Sequence, residues 1–419
     1  MKKSITVILV LTTSLLCGNS NSEALNWHQC LGLTLRNHPG LQSAREKIKQ
    51  SKAGRGIARS LFLPALNGTA SLSKTKSDNE SYSSYSYGLT VEQLVFDGFN
   101  SVNSYLKAGV DIDTALYDYL VVESNTLYTT RIAFINLLKA QKYISTAESI
   151  LKRRSSNYKL VKMRYRAGRE HIGSVLSSEA DKENARADFN QAKRNLKLKQ
   201  KILYASMGLT GKLSVPVVKG LMGISVNTKE KPDCRKLAER NPVLKKMISL
   251  RESAAYDKKL SYSGYYPHVY AFLNADASGV NWKESEKKIS AGVSMNLSLF
   301  EGGKTYYSVK KAKSQYRQAL YDEKNTRLDV VMMLEEKWSD LLYKGDRVNV
   351  QAKYYKAVRE RAKIAESQYS IGLITFDNWT IIEESLVTIT QKYLESRIDL
   401  LLAEAEWVQA KGEIYVTEK

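Results

Sequence analysis

The chain has 419 residues, of which 64 are Lys or Arg and 43 are Asp or Glu, giving a formal net charge of +21. Its four His and three Cys show no metal-ligand spacing, and the chain has no Gly-rich phosphate loop or nucleophile motif. The sequence therefore predicts no enzyme, no cofactor and no metal site. Six Pro are few for this length and favour long, uninterrupted helices.

The N-terminus has the pattern of a secretory signal over residues 1–24. A basic pair at residues 2–3 precedes an apolar run at residues 5–17 that is too short to span a bilayer, and small residues precede a cleavage site after Ala24. We therefore expect an exported chain, for which nucleic acid is not a partner despite the basic charge. No later apolar run has the length of a transmembrane helix. Lipidation at Cys17 stays open.

Much of the remaining sequence occurs twice, at an offset of 204 residues. The stretch CLGLTLRNHPGL from Cys30 matches CRKLAERNPVL from Cys234, and YRAG at Tyr165 matches YSIG at Tyr369. This spacing is far longer than that of a solenoid repeat and predicts a duplicated domain. The predicted units are a first repeat at 25–209, a Gly-rich linker at 210–232, a second repeat at 233–413 and a C-terminal tail at 414–419.

Each repeat is predicted to begin with equatorial helices and to continue into a strand hairpin, at about 65–96 and about 267–300. In the second hairpin, apolar residues from Ile289 to Leu299 alternate with Ser, Gly and Asn over eleven positions. A strand of this length with one apolar and one small polar face fits a tilted membrane strand. A soluble antiparallel sheet with one face in water is the alternative.

A long helical hairpin follows each strand hairpin, at about 98–208 and about 302–411. The first contains no Pro up to Arg166, enough for a helix of about 100 Å. In the last helix, seam residues are spaced alternately four and three apart over Ile382–Ala410, which is the 3.5-residue period of a coiled coil. This seam has large residues, whereas the equivalent helix of the first repeat has small ones. This difference favours a curved helical wall, and ordinary bundle packing is the alternative.

The motifs LVFDG and LFEGG mark the points where each strand hairpin continues into a long helix. Phe96 and Phe300 are suited to anchor this boundary at a membrane interface. Gly98 and Gly302 allow the backbone to change direction there. Two hairpins provide four strands, which cannot close a membrane barrel. Because an open edge cannot lie in lipid, we expect two, three or more copies of the chain to share one barrel.

These junctions, the paired NHPGL and NPVL helices, and the YRAG and YSIGLITFDNW turns resemble the TolC family of outer-membrane channel-tunnel proteins, also called outer-membrane efflux proteins. The resemblance covers essentially the whole mature chain. It implies a mainly α-helical protein with a membrane β-barrel portion. In the homotrimer that it implies, a twelve-stranded β-barrel continues into a twelve-helix α-barrel.

The function that the resemblance implies is a passive exit channel in the outer membrane of a Gram-negative-type cell, with a long periplasmic extension. Such a channel serves a tripartite efflux pump or a type I secretion system. A periplasmic adaptor (membrane fusion) protein links it to an inner-membrane transporter that supplies the energy, and outer-membrane lipid surrounds its barrel. The alternative is a periplasmic structural or adaptor-like coiled-coil protein without channel activity. The sequence does not identify the cargo.

In similar proteins the turns between the long helices form periplasmic tips that meet the adaptor. This implies docking at the following residues of the two turns: Tyr165, Gly168, Tyr369, Gly372, Leu373 and Thr375. Members of the family often carry an Asp nine residues after the tip tyrosine, where this chain has Ser174 and Asn378. The chain thus departs from the pattern of an acidic entrance. The candidates for a periplasmic constriction are Asp377, Asn378, Glu383 and Glu384.

Two further features have two interpretations each. Basic residues surround the first tip, either as a solvated face or as a cationic entrance or surface for an acidic adaptor. These residues are Lys152, Arg153, Arg154, Lys159, Lys162, Arg164, Arg166 and Arg169. Cys30 and Cys234 occupy equivalent repeat positions, and either pair in an oxidising periplasm or stay single as small buried residues.

Overall fold

The computed structural model of the protein describes residues 24–77, 80–209, 217–220, 230–280, 282 and 286–412. The predicted cleaved segment before Ala24, most of the predicted linker and the predicted tail lie outside these residues. The described residues contain eight α-helices, four strands and a short 3₁₀ turn at Ser263–Tyr265.

Two helices, two strands and two longer helices follow one another in each half of the chain. In the first half they are α1 (Trp27–Asn37), α2 (Pro39–Ser60), β1 (Ala65–Ser77), β2 (Glu80–Phe96), α3 (Asn100–Arg166) and α4 (Ile172–Ser206). In the second half they are α5 (Cys234–Arg240), α6 (Pro242–Leu260), β3 (His268–Gly279), β4 (Glu286–Asn296), α7 (Lys304–Ile371) and α8 (Phe376–Lys411). Helices α3 and α7 have 67 and 68 residues, so each is about 100 Å long.

The four strands form one antiparallel sheet in the order β1-β2-β3-β4. Because side chains alternate along each strand, the register collects the apolar residues on one face, which we call the apolar face. One row across this face comprises Leu66, Val91, Leu273 and Ala291. The adjacent row, on the opposite polar face, comprises Asn67, Thr90, Asn274 and Ser290. Among the described residues, β1 and β4 each have a strand neighbour on one side only.

The long helices continue the sheet as a wall one helix thick, which we call the helical wall. Next to the sheet its order is α2, α3, α6 and α7, with each helix packed on the next, and farther away the order is α4, α3, α8 and α7. The first order repeats the strand order, because α2 leads into β1, β2 into α3, α6 into β3 and β4 into α7. Helices α3 and α7 therefore run the full length of the helical wall.

Helices α4 and α8 end against the starts of α2 and α6. Asn241 donates a hydrogen bond through Nδ2 to the carbonyl oxygen of Ala410, 2.8 Å away at the end of α8. Gly412 follows with a φ of 69°, and a Cβ there would lie 2.3 Å from Pro242 Cδ. Gly208 makes the equivalent contact with the backbone just before α2. The NHPGL and NPVL motifs therefore form joints. At each joint, the start of a helix that begins with Pro packs against the end of another helix.

The core is divided among clusters along the helical wall. In one, Trp27 of α1 packs edge-on against Phe134 of α3 with ring centroids 5.8 Å apart. In another, Trp407 of the predicted α8 seam meets Trp338 of α7 at 5.2 Å. All the predicted seam positions over Ile382–Ala410 are buried or half-buried. The seam thus packs α8 into the wall along its length.

The two cysteines of the described residues are single. Cys30 lies in the Trp27 cluster and Cys234 in the Trp407 cluster, and both are buried and free. Burial raises the pKa of the Cys30 thiol to about 11. Of the two interpretations of this pair, the structure supports that of small buried residues.

Replacing Gly412 with Ala is expected to destabilise the protein by about 1–3 kcal/mol, because Ala is strained in the left-handed region and its methyl group would meet Pro242. The measurement is the apparent Tm of the detergent-extracted protein, followed by circular dichroism. The control is Gly345→Ala inside α7, where an added Cβ has nothing within 4 Å and Ala favours the helix. Equal Tm values for the two variants would contradict the joint.

Candidate functional site

The turns α3–α4 and α7–α8 lie side by side at the end of the helical wall farthest from the sheet. Arg164, in the last turn of α3, donates through Nη1 to the carbonyl oxygen of Tyr369 at 2.7 Å. Its guanidinium also lies over the Tyr369 ring, 4.6 Å from the centroid. Because the last carbonyls of a helix lack partners within it, Arg164 caps α7 from the neighbouring hairpin.

Tyr369 is fully buried at this contact. Its ring stacks on Trp379 with centroids 4.3 Å apart, and its hydroxyl donates to Glu170 Oε2 at 2.9 Å. Its side chain is therefore not on the surface of the chain, and its predicted docking role stays a prediction. The repeat-equivalent Tyr165 is 42% exposed. The two tyrosines differ in burial because the first repeat has Val175 at the position of Trp379 in the second. The motif that the two turns share does not show this difference.

Glu170 is an acid in an otherwise basic tip, and sequence reasoning missed it. Its carboxylate accepts hydrogen bonds from Tyr369, from Ser174 Oγ at 3.0 Å and from the backbone N–H of His171 at 3.3 Å. Burial by itself raises the pKa of Glu170, but these hydrogen bonds stabilise the carboxylate, and the net pKa is lowered from its usual 4.5. Burial and the hydrogen bond to Glu170 raise the pKa of Tyr369.

The other predicted docking residues shape the surface of the two turns. Gly168 and Gly372 adopt φ values of 68° and 85°, which let each long helix end in a sharp turn. Thr375 is the N-cap of α8, and its Oγ1 accepts from the N–H of Asn378 at 3.3 Å. Gly168, Gly372 and Thr375 belong to the predicted docking set. These three residues and Asn378 are all exposed.

An exposed apolar patch accompanies these turns. Leu373, which was predicted, is 69% exposed, and Ile371 and Ile172 are 72% and 52% exposed. Both isoleucines were missed, although Ile371 directly precedes a tip glycine, which is a visible signal. Such exposed apolar side chains at the end of a helical hairpin are typical of a contact surface for another protein.

Arg153 joins three helices above the tip. From α3 it donates through Nε and Nη2 to the two carboxylate oxygens of Glu383 on α8, both at 2.6 Å, and through Nη2 to Glu366 on α7 at 3.4 Å. Asn157 donates to Glu383 as well, at 3.1 Å. The hydrogen bonds to Glu383 raise the pKa of the Arg153 guanidinium.

Arg154 makes the complementary links. Its guanidinium contacts Glu384 on α8 and lies 3.6 Å from Asp181 on α4. The Arg153–Arg154 pair therefore ties α3 to the other three helices of this level. Nothing local in the sequence indicates these contacts, because the residues paired on α3 and α8 lie 230 positions apart.

These contacts decide which constriction candidates are accessible. Glu383 is 1% exposed and lies inside the chain, paired with Arg153, so it cannot line a pore while that pair is intact. Glu384 is 54% exposed and contacts Arg154. Asp377 and Asn378, in the first turn of α8, are exposed. The predicted role of Glu383 in a constriction stays a prediction, and it requires the pair with Arg153 to be broken.

The basic residues of the first tip divide into three groups. Arg153, Arg154 and Arg164 have partners within the chain and hold helices together, so neither predicted interpretation applies to them. Lys162 lies half-buried over a tyrosine ring. The remaining residues are exposed, and both interpretations apply to them: Lys152, Lys159, Arg166 and Arg169.

At the opposite end of the long helices, the acid of each junction motif contacts the first turn of the helix that follows. Asp97 Oδ2 accepts from the backbone N–H of Ser101 at 2.8 Å and from its hydroxyl. Glu301 Oε2 accepts from Thr305 Oγ1 at 2.8 Å. A carboxylate at a helix N-terminus is stabilised by the unpaired N–H groups there. The acid in LVFDG thus caps α3, whereas the acid in LFEGG bonds a side chain in the first turn of α7. Gly302 turns the chain just before α7.

The aromatic residues of the junctions surround the end of the sheet. Phe96 lies 5.5 Å from Phe99 and 6.5 Å from Tyr266, measured between ring centroids. Gly98 has a φ of 66°, and a Cβ there would lie 2.7 Å from Tyr266 Cβ, so the close approach requires glycine. Phe300 is 87% exposed. Exposed aromatic rings at the end of an apolar sheet face are typical of a membrane interface.

The described part of the chain holds no group of three or more His, Cys, Asp or Glu side chains placed to bind a metal ion. Two of its histidines cap helices: His38 accepts from the N–H of Gly40 at 3.2 Å, and His171 from the N–H of Ser174 at 3.3 Å. Within the same residues, no helix combines the length and apolar character needed to cross a bilayer.

A sheet with an apolar face, extended by long paired helices that end in side-by-side tips, defines the fold of outer-membrane channels. The Campylobacter jejuni CmeC outer membrane channel has this fold, with a TM-score of 0.81 and 15% identity over 98% of this chain and 93% of CmeC. The outer membrane protein VceC of Vibrio cholerae gives a TM-score of 0.80 and 16% identity over 92% of this chain and 96% of VceC.

Sequence comparison identifies the family. The outer membrane efflux protein BepC of Brucella suis biovar 1 (strain 1330) is 22% identical over 428 residues, which cover 99% of this chain and 88% of BepC. The model of the outer membrane efflux protein family matches residues 30–209 and 234–415. The chain belongs to this family and is an outer-membrane efflux channel protein, as its motifs predicted.

Replacing Glu383 with Gln is expected to lower the apparent Tm, because it removes the carboxylate that pairs with Arg153. The expected loss is about 1–3 kcal/mol, less than for a fully buried pair because Arg153 is 31% exposed and keeps Glu366. The control is Glu384→Gln, whose exposed carboxylate is expected to contribute less than about 1 kcal/mol. Similar losses in both variants would show that burial does not set the strength of these pairs.

The pH dependence of tip stability is expected to follow Glu170. Because its folded-state pKa is lowered, its carboxylate stabilises the tip above about pH 4.5, and this contribution is lost as the pH falls through the folded-state pKa. Tyr369→Phe removes one hydrogen-bond donor, so its Tm should be lower near neutral pH and fall less steeply towards acid. Tyr165→Phe, at the exposed equivalent position, should follow the wild type. A Tyr369→Phe curve parallel to the wild type would disprove the coupling.

Proposed function

We propose that three copies of the chain close one barrel and form the passive exit channel of a tripartite efflux pump or type I secretion system. The observation that carries the proposal is the sheet, in which β1 and β4 each have one edge without a strand partner among the described residues. In lipid, every backbone N–H and C=O group needs a partner. Pairing β4 of one copy with β1 of the next satisfies both edges without new strands.

The width of the channel favours three copies over two. Two copies would supply eight strands, and the interior of an eight-stranded barrel is just wide enough for its own side chains. Three copies supply twelve strands and leave an open lumen. The polar face then lines the lumen with hydroxyl and amide groups, and the apolar face contacts outer-membrane lipid.

Closing the sheet also closes the helical wall, because the two have the same order. The same three copies then form a twelve-helix α-barrel about 100 Å long that extends into the periplasm. The element order, which occurs twice in the described chain, supports an origin by tandem duplication. Duplication explains why each copy contributes two equivalent hairpins and two equivalent helical pairs.

The tips are the proposed docking surface for a periplasmic adaptor protein. Leu373, with Ile172 and Ile371 beside it, offers exposed apolar contacts, and Tyr165, Gly168, Gly372 and Thr375 border them. Exposed basic residues next to the first tip suit an acidic partner. Asp377 and Asn378 are the remaining accessible candidates for a constriction. The inner-membrane transporter supplies the energy, and the channel itself performs no chemistry.

The proposal is tested by the native mass and single-channel conductance of the protein extracted from outer membranes in mild detergent. A three-chain particle that conducts ions is expected. Val293→Arg, on the exposed apolar face of β4, should impair insertion by about 2–4 kcal/mol and reduce the trimer in the outer-membrane fraction. Ser294→Arg, on the polar face of the same strand, should insert normally. A monomer, or equal defects in both variants, would overturn the closed barrel.

A further inference from the structure

Three lysines lie on the apolar face at the hairpin-tip end of the sheet. The alternation that places Leu66 and Leu72 of β1 on this face places Lys74 and Lys76 there too. On β4, Ile289 and Lys287 share the face in the same way. All three lysines are exposed, and none has an ion-pair partner among the described residues. Charged side chains on a lipid-facing surface require an explanation, because they are costly anywhere except at its edge.

Acidic residues at this level lie on the other face. Lys287 pairs across the strands with Ala277, whereas its neighbour Lys288 pairs with Asp276 on the polar face. Glu286 also lies on the polar face by alternation. Among the described side chains, the apolar face carries lysines but no carboxylate in these rows. The outward surface is therefore positively charged here, although the lumen side is mixed.

An aromatic cluster lies between the β1 lysines and Lys287, at the same end of the sheet. Tyr85 and Tyr87 of β2 are on the apolar face, and the ring of Trp282 lies 6.0 Å from the first and 5.0 Å from the second. Trp282 is 60% exposed. Tyr and Trp concentrate at the headgroup level of membranes because their rings are apolar and their polar ends are wet. The cluster therefore marks the edge of the hydrocarbon layer, and the lysines lie at headgroup depth.

The direction of the sheet identifies the leaflet. All connections to the helices leave from the opposite end of the strands, so the hairpin tips face away from the periplasm. In an outer membrane, the lipid on that side is lipid A, which carries phosphate groups on a sugar headgroup. Lysines at the level of those phosphates, with no carboxylate on the same face among the described side chains, are complementary to them in charge.

We propose that Lys74 and Lys76 on β1 and Lys287 on β4, with the Tyr85–Tyr87–Trp282 cluster between them, bind phosphorylated headgroups of lipid A in the outer leaflet. The orientation of the site rests on the proposed closed barrel. Bound lipid anchors the height of the barrel in the membrane, since the lysines pair with phosphate and the aromatic rings cover the upper acyl carbons. In a closed barrel the site repeats in every copy around the circumference.

Trp282 provides the readout, because the other four tryptophans of the chain are buried. Acrylamide quenching of the full-length, detergent-extracted protein therefore reports its accessibility. Titration with bisphosphorylated lipid A should protect Trp282 with saturation. Lys287→Gln should raise the lipid concentration for half protection about fivefold, whereas the matched control Lys288→Gln should change it less than about twofold.

Two comparisons can overturn the proposal. Equal protection by dephosphorylated lipid A or by phosphatidylglycerol would show that the site does not recognise the lipid A phosphates. An equal effect of Lys287→Gln and Lys288→Gln would show that the outward lysine has no special role. The native mass is measured on each sample before lipid is added, so a failure of the closed barrel is distinguished from a failure of lipid binding.

Discussion

The structure depends on one constraint: a strand in lipid must have every backbone N–H and C=O group hydrogen-bonded. Among the described residues, the chain satisfies the constraint for β2 and β3 and leaves one edge each of β1 and β4 open, which other copies satisfy in the proposed trimer. Because each strand is joined to one helix in the same order, the geometry that completes the sheet also completes the helical wall. In the proposed trimer, the membrane thus determines the arrangement of helices that never enter it.

About 100 Å from the sheet, this constraint no longer acts, and the helices need interactions of their own. They are provided by Arg153, Arg154 and Arg164, which all lie on α3 and bind partners on other helices. Arginine suits this role because its planar fork can bind a carboxylate and a carbonyl without losing its charge. The tip is therefore held by a few specific polar contacts around one aromatic stack, whereas the middle of the wall is held by apolar clusters.

Most of the fold could be predicted from the periodicity of apolar residues in the sequence. A period of two marked the strands and a period of 3.5 marked α8, and glycines marked the turns, so the channel fold and the family followed from local patterns. Burial within the site did not follow, because it depends on partners from distant segments. Tyr165 and Tyr369 share a motif, but Trp379 covers the second alone. The sequence around Glu383 fits an entrance carboxylate, and only the structure shows that it pairs with Arg153, 230 residues earlier in the chain.

The joints at Gly208 and Gly412 have a mechanical consequence. Of the four columns in the helical wall, α3 and α7 are unbroken, whereas the other two are spliced from separate helices that meet end to end. An unbroken helix resists bending through its whole ladder of hydrogen bonds, but a splice bends at the cost of a few contacts. In the proposed trimer, stiff and jointed columns alternate around the tube. Its length is then kept under axial load by the stiff columns, and its diameter below the splices can change independently of the membrane end.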